Sequence, residues 1–228
     1  MERNDSKPCF SGNYLCALTL AATGGFLEAY TYVTRDGIFA NAQTGNIARF
    51  GVCMASGDYM NALRYFIPVM AFVFGVILSL AIKKRVRECR QGISLETAAL
   101  PVEIIFLIIV GFVPGERYDG TATLIIAFVC AVQSGTFREF EGHKFASTMC
   151  TGNLRSGTDK LCAFFDGGDR NELKLALKYY LIDIVFAAGV IIGYRCTEML
   201  YCRAVWCAAA VLVMLEIYLC AKRRKALN

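Results

Sequence analysis

Histidine is almost missing from this chain, and so is any spacing that would let its cysteines hold a metal. His143 is the only histidine among 228 residues. The eleven cysteines contain no CxxC pair, so no zinc-type ligand set can be drawn. Charge is scarce too: 19% of residues are Asp, Glu, Lys or Arg, against roughly 25% in soluble domains. The scarcity is concentrated. Residues 8–27, 65–82 and 120–137 carry no charged side chain. At about 1.5 Å per residue, a helix of such length matches the hydrocarbon thickness of a bilayer. These absences exclude a secreted disulfide scaffold, a cytosolic metalloenzyme and a nucleic-acid binder. They leave an all-α, multi-pass membrane protein whose first partner is the lipid bilayer.

Most cysteines, among them Cys16, Cys130, Cys207 and Cys220, lie in apolar stretches, where a free thiol behaves as a small hydrophobe. Cys196 and Cys202 flank a short loop and could pair. Six segments are long and apolar enough to be membrane helices, at about 13–33, 64–82, 97–114, 120–137, 178–194 and 204–221. Ala21-Ala22-Thr23 resembles a signal-peptide cleavage site, but the residues before it are not basic overall, with Arg3 and Lys7 set against Glu2 and Asp5. The first segment is therefore expected to remain as a span.

Two further segments, 37–57 and 144–165, are half polar, and each holds Thr-Gly-Asn followed by an aliphatic residue. These are Thr44-Gly45-Asn46-Ile47 and Thr151-Gly152-Asn153-Leu154. The offset that carries Thr44 onto Thr151 also carries the first span onto the fourth and the third onto the sixth. The chain thus reads as two copies of one unit, 1–114 and 115–228: a strong span, a Thr-Gly-Asn segment and two more strong spans.

Basic residues near span ends set the orientation. Lys83, Lys84, Arg85, Arg87 and Arg90 form one cluster and Lys222, Arg223, Arg224 and Lys225 another. Both are expected in the cytoplasm, so an even number of crossings separates them. Four strong spans satisfy this only if the second Thr-Gly-Asn segment does not cross, and by repetition the first does not either. Six crossings place both termini in the cytoplasm. They also invert the two halves, giving a 3+3 inverted repeat with semi-polar, re-entrant Thr-Gly-Asn segments. Transporters and channels use such repeats, with interrupted backbone lining the solute path.

The stretch from Ala22 to Tyr32 (ATGGFLEAYTY) and Gly37 to Asn46 (GIFANAQTGN) resembles the signature of the YoaK-like family of uncharacterised bacterial multi-pass membrane proteins. Gln133-Ser134, then Thr148 to Leu154 (TMCTGNL), are similar in the second half. Glu28 stands where the family commonly has Asp, and Ser134 where it often has Asn. The resemblance implies a six-span protein of a bacterial plasma (inner) membrane and supplies no reaction.

Polar residues at membrane depth are functional candidates by default. Glu28 leads them, with Asn41, Gln43, Thr44, Asn46, Gln133, Thr148, Thr151 and Asn153 as further path-lining groups for a small solute or ion. Arg49, Arg138 and Asp183 are candidate charge partners. The bland alternatives are that Glu28 reaches water at an interface and that Gly-Asn merely ends a half-helix. Glu103 and Glu216 are read as interfacial. No nucleophile–base pair, metal set or phosphate loop is present, so no catalytic residue, metal or cofactor is expected and the chain reads as a non-enzyme. The leading expectation is a small-solute or ion transporter or channel. The alternative is a membrane-embedded structural or regulatory protein, and a homo-oligomer is compatible with either.

Overall fold

A computed structural model describes residues 13–34, 37–88, 95–114 and 119–227. The charges Glu2, Arg3, Asp5, Lys7, Arg35, Asp36, Arg90 and Arg117 lie outside the described residues. Helix dominates, as expected. The elements are α1 (Tyr14–Thr34), α2 (Gln43–Ala55), α3 (Tyr59–Glu88), α4 (Leu95–Val110), α5 (Asp119–Thr136), α6 (Cys150–Phe165), α7 (Arg170–Leu200) and α8 (Val205–Leu227). A hairpin of two-residue strands, β1 (Glu139–Phe140) and β2 (His143–Lys144), follows α5. Its turn places Glu141 and Gly142 at positive φ, the geometry that two-residue hairpins favour.

Two apolar runs, Tyr59–Val86 and Arg170–Lys225, are long enough to cross a membrane. The second is not one helix. Tyr201, at φ 50° and ψ −125°, ends α7, and a 3-10 turn over Tyr201–Ala204 leads into α8. Both α3 and α7 begin earlier and end later than the apolar pattern predicts, with 30 and 31 residues. Helical hydrogen bonding continues beyond the apolar stretch because nothing in the flanking sequence stops it. At the start of α3, Asp58 receives the Asn61 amide N–H and side chain, which hold its carboxyl below the usual carboxylate range.

The Thr-Gly-Asn segments do not end helices; they begin them. Thr44-Gly45-Asn46 lies in the first turn of α2 and Thr151-Gly152-Asn153 in the first turn of α6. The offset of the tripeptides also carries Gln43, the start of α2, onto Cys150, the start of α6.

Packing pairs helices across the chain. α1 runs parallel to α7: the Tyr14 hydroxyl donates to Lys178 O, Ala22 touches Gly189 and Phe26 touches Gly193. α3 runs parallel to α5, with Gly75 against the Phe128 carbonyl and Gly135 against Ser79. Glycines stand at these contacts because the neighbouring backbone comes too close for a Cβ; at Gly75 one would lie 2.5 Å from Phe128 O. α8 runs antiparallel to α1, since Asn13 donates to the Tyr218 hydroxyl at one end and Tyr30 donates to Cys202 O at the other. The end of α4 meets the start of α8, where the Trp206 indole donates to Ile108 O. One apolar cluster, including Leu20, Leu27, Leu107, Ile126 and Leu212, joins α1, α4, α5 and α8. A smaller one gathers Ala21, Phe140, Leu175 and Ile182.

Candidate functional site

Two loops of matching course lead into the short helices. Residues 38–42 and 145–149 are each irregular and bend at matching positions, Ala40-Asn41 and Ser147-Thr148. Ala42 and Met149, the residues before the helices, have similar ψ angles of 68° and 75°. Neither has a side chain that caps its helix, so the turn is held from further along. Asn46 Nδ2 donates to Phe39 O at 2.7 Å, seven residues back. Asn153 Nδ2 donates to Ala146 O at 2.8 Å, also seven back, and Asn153 Oδ1 accepts the Ala146 N–H at 3.1 Å. The asparagine of each tripeptide is thus a tie that folds its own loop inward.

Both loops arrive at Gly24, in the middle of α1. Asn41 Nδ2 donates to Gly24 O at 3.1 Å, and the Thr148 methyl group packs on Gly24 so tightly that a Cβ there would lie 2.8 Å from it. Asn41 and Thr148 are themselves related by the offset that carries Thr44 onto Thr151. Around them the interior is polar. Glu28 Oε2 accepts the Asn41 N–H at 2.9 Å, and Gln133 Nε2 donates to the Ser147 hydroxyl at 3.0 Å and to Leu20 O at 3.3 Å. Asn41 Oδ1 and Gln133 Oε1 are buried without a hydrogen-bond partner. Burying an acceptor without a donor is unfavourable, so such atoms at the meeting point of two loops are natural contacts for a polar or cationic guest.

The residues singled out in the sequence divide accordingly. Glu28, Asn41, Gln133 and Thr148 form this junction. Asn46 and Asn153 are buried beside it as ties, and Gln43 serves Asn46, accepting its second N–H at 3.0 Å. Thr44 and Thr151 are exposed. Arg49 does not meet Glu28: its Nη1 donates to Gly37 O at 2.7 Å, and its guanidinium lies over the Phe39 and Tyr65 rings. Arg138 is exposed at the end of α5. Asp183 joins the second tie, accepting from Asn153 Nδ2 at 3.0 Å.

Three residues of the interior escape the sequence reading. Ser147 was reachable as the repeat partner of Ala40. Cys130 looked like any buried cysteine. Glu103, read as interfacial, is wholly buried, because the face of α4 that carries Leu100, Leu107 and Val110 also carries it. Glu216 is half-buried, with one oxygen accepting from the Cys220 thiol and the other buried without a partner. Among the described residues no group of His, Cys, Asp and Glu is arranged to hold a metal ion.

No curated protein and no solved structure matches this chain. One family does, described as a protein of unknown function (DUF1275), and it covers residues 16–218. With nearly the whole described bundle inside that match, the chain belongs to the DUF1275 family.

Proposed function

We propose that this is an integral membrane protein of six crossings, α1, α3, α4, α5, α7 and α8, which moves a small solute or ion through the junction at Gly24. The observation that carries the reading is the arrival of two loops, one from each half of the sequence, at one glycine in the middle of α1. An inverted repeat predicts such a meeting, with each half supplying one inward loop and the site lying at their interface. The parallel pairs support it: α1 with α7 and α5 with α3 are the same partnership with the halves exchanged. The outward faces of α3 and α7 support the bilayer, with Phe66, Met70, Phe74, Ile184 and Ile191 exposed. α2 and α6 do not cross; α6 carries Arg155, Asp159 and Lys160, which the hydrocarbon would penalise.

A second reading, a structural or regulatory membrane protein, is favoured by one observation. The amide donors of Asn46 and Asn153 are all spent on the protein's own acceptors.

Topology and transport are tested separately. Ile47 and Leu154 are both about half exposed. In a cysteine-free background, a cysteine at Ile47 reacts with an impermeant maleimide added outside the cell. One at Leu154 reacts only after the cytoplasmic face is opened. Labelling of both from one side ends the inverted repeat. For transport, proteoliposomes are screened with a labelled solute library. Glu28→Gln abolishes any flux found and leaves the melting temperature at or above that of the parent; flux unchanged in this variant removes Glu28 from the path.

A further inference from the structure

Glu103 is a carboxyl group with no visible means of being an anion. It is wholly buried, and neither oxygen has a hydrogen-bond partner. Among the described residues no basic side chain acts on it. On α5 the titratable group within electrostatic reach of Glu103 is Cys130, also wholly buried, which Glu28 on α1 reaches as well. The Asn41 side chain faces the same thiol. On α8, Cys207 lies beside Cys196, Glu216 accepts from Cys220 and Tyr218 accepts from Asn13, while Lys222, Arg223, Arg224 and Lys225 are not buried. On α3, Tyr65 lies under the Arg49 guanidinium, and Arg64, Lys83, Lys84 and Arg85 are not buried.

The interior around α5 therefore holds acceptors that lack a donor. Both Glu103 oxygens, Asn41 Oδ1 and Gln133 Oε1, one turn along α5 from Cys130, are buried without a donor. A proton turns one carboxyl acceptor into a donor and removes the unfavourable buried charge in the same step. Glu28 is the counterpart suited to exchange it, because it keeps a trace of exposure, 8%, where Glu103 has none.

We propose that Glu103 binds and releases a proton, and that solute movement through the Gly24 junction is coupled to that proton. The coupling rests on the transport reading; the proton site does not. On release the O–H bond of Glu103 breaks, water carries the proton to the Glu28 carboxylate and from there outward, and no electron changes hands.

Infrared difference spectra of the full-length protein in detergent, recorded across a pH change, read the site directly. A protonated-carboxyl stretch that shifts in D2O is expected in the parent and absent from Glu103→Gln. If Glu103→Gln keeps the whole band, the proton site is overturned. Glu103→Leu, which suits the apolar face of α4, serves if the Gln variant does not fold, and the band must be absent there too. Coupling is read in proteoliposomes loaded with the pH dye pyranine and challenged with pools of the solute library. Any pool that enters is expected to change lumenal pH with the parent and not with Glu103→Gln. Entry with no pH change in the parent overturns coupling and leaves transport standing. If no pool enters, the transport reading and the coupling both fail, and the infrared band still decides Glu103.

Discussion

The two Thr-Gly-Asn helices share a backbone device and differ in what it holds. In the first half, Asn46 ties its loop to Phe39 O and gives its second N–H to Gln43, a neighbour one turn away on the same helix. In the second half, Asn153 takes both the carbonyl and the N–H of Ala146, then reaches across to Asp183 on α7. The first tie is local and the second joins two helices. What the two segments share is the inward bend of the loop; what differs is the partner beyond it. Glu28 shows the same divergence, since its position in the other half is Gly135, which lies against Ser79.

The largest effect expected from this comparison lies where the halves exchange helices. A Cβ on Gly25 would run into the Phe186 carbonyl, and backbone cannot rotate away as a side chain can. Gly25→Ala is expected to cost about 3 kcal/mol, the upper part of the range for overpacking, seen as a lower melting temperature in detergent. Gly75→Ala, at the matching α3–α5 contact, should fall close to it. Gly51→Ala, on α2 with nothing within 4 Å, should be neutral or slightly stabilising. Equal behaviour of Gly25 and Gly51 would break the packing account.

The ties come next, and here the halves should separate. Asn153→Ala leaves the Ala146 N–H without its side-chain acceptor and deprives Asp183 of its amide donor, leaving the carboxylate only the Cys150 thiol. A cost of about 2–3 kcal/mol follows from leaving buried polar groups unmade. Asn46→Ala strips Phe39 O of one donor and frees Gln43, and should cost about 1 kcal/mol. Melting curves of the two variants in the same detergent check the order. A double variant, Asn153→Ala with Asp183→Asn, should recover part of the loss, because it removes the stranded carboxylate. No recovery would mean that Asn153 acts through Ala146 alone.

How much of this was visible beforehand depends on whether it is written in side chains or in backbone. Repetition of Thr-Gly-Asn marked Asn46 and Asn153, and a carboxylate inside an apolar stretch marked Glu28. The partners of both asparagines are carbonyls of Phe39 and Ala146, and no residue type announces those. The bland alternative, that Gly-Asn ends a half-helix, fails at the same limit: the residue types suit a terminator, but here the irregular segment is the loop before the tripeptide. Glu103 was misread for another reason. Distance from the end of a span says how deep a residue sits, whereas its burial depends on which face α5 and α8 cover, and that is a property of packing.

The smallest expected effect separates the tripeptide's own residues. Thr44 and Thr151 occupy equivalent positions, both are exposed, and neither points a hydroxyl into the Gly24 junction by any hydrogen bond among the described residues. If the motif works as a loop tie, the asparagine is its active member and the threonine is a first-turn surface residue. Thr44→Ala and Thr151→Ala should then each change stability by less than about 0.5 kcal/mol, the ordinary range for a surface substitution, and leave any flux unchanged. If instead the threonine hydroxyls line a solute path along the outer faces of α2 and α6, the melting temperature will still hold but flux will fall in both variants. Measured together on one preparation, the two readouts distinguish a path through the junction from a path around the short helices. Flux lost in both threonine variants with stability intact would move the path away from Gly24.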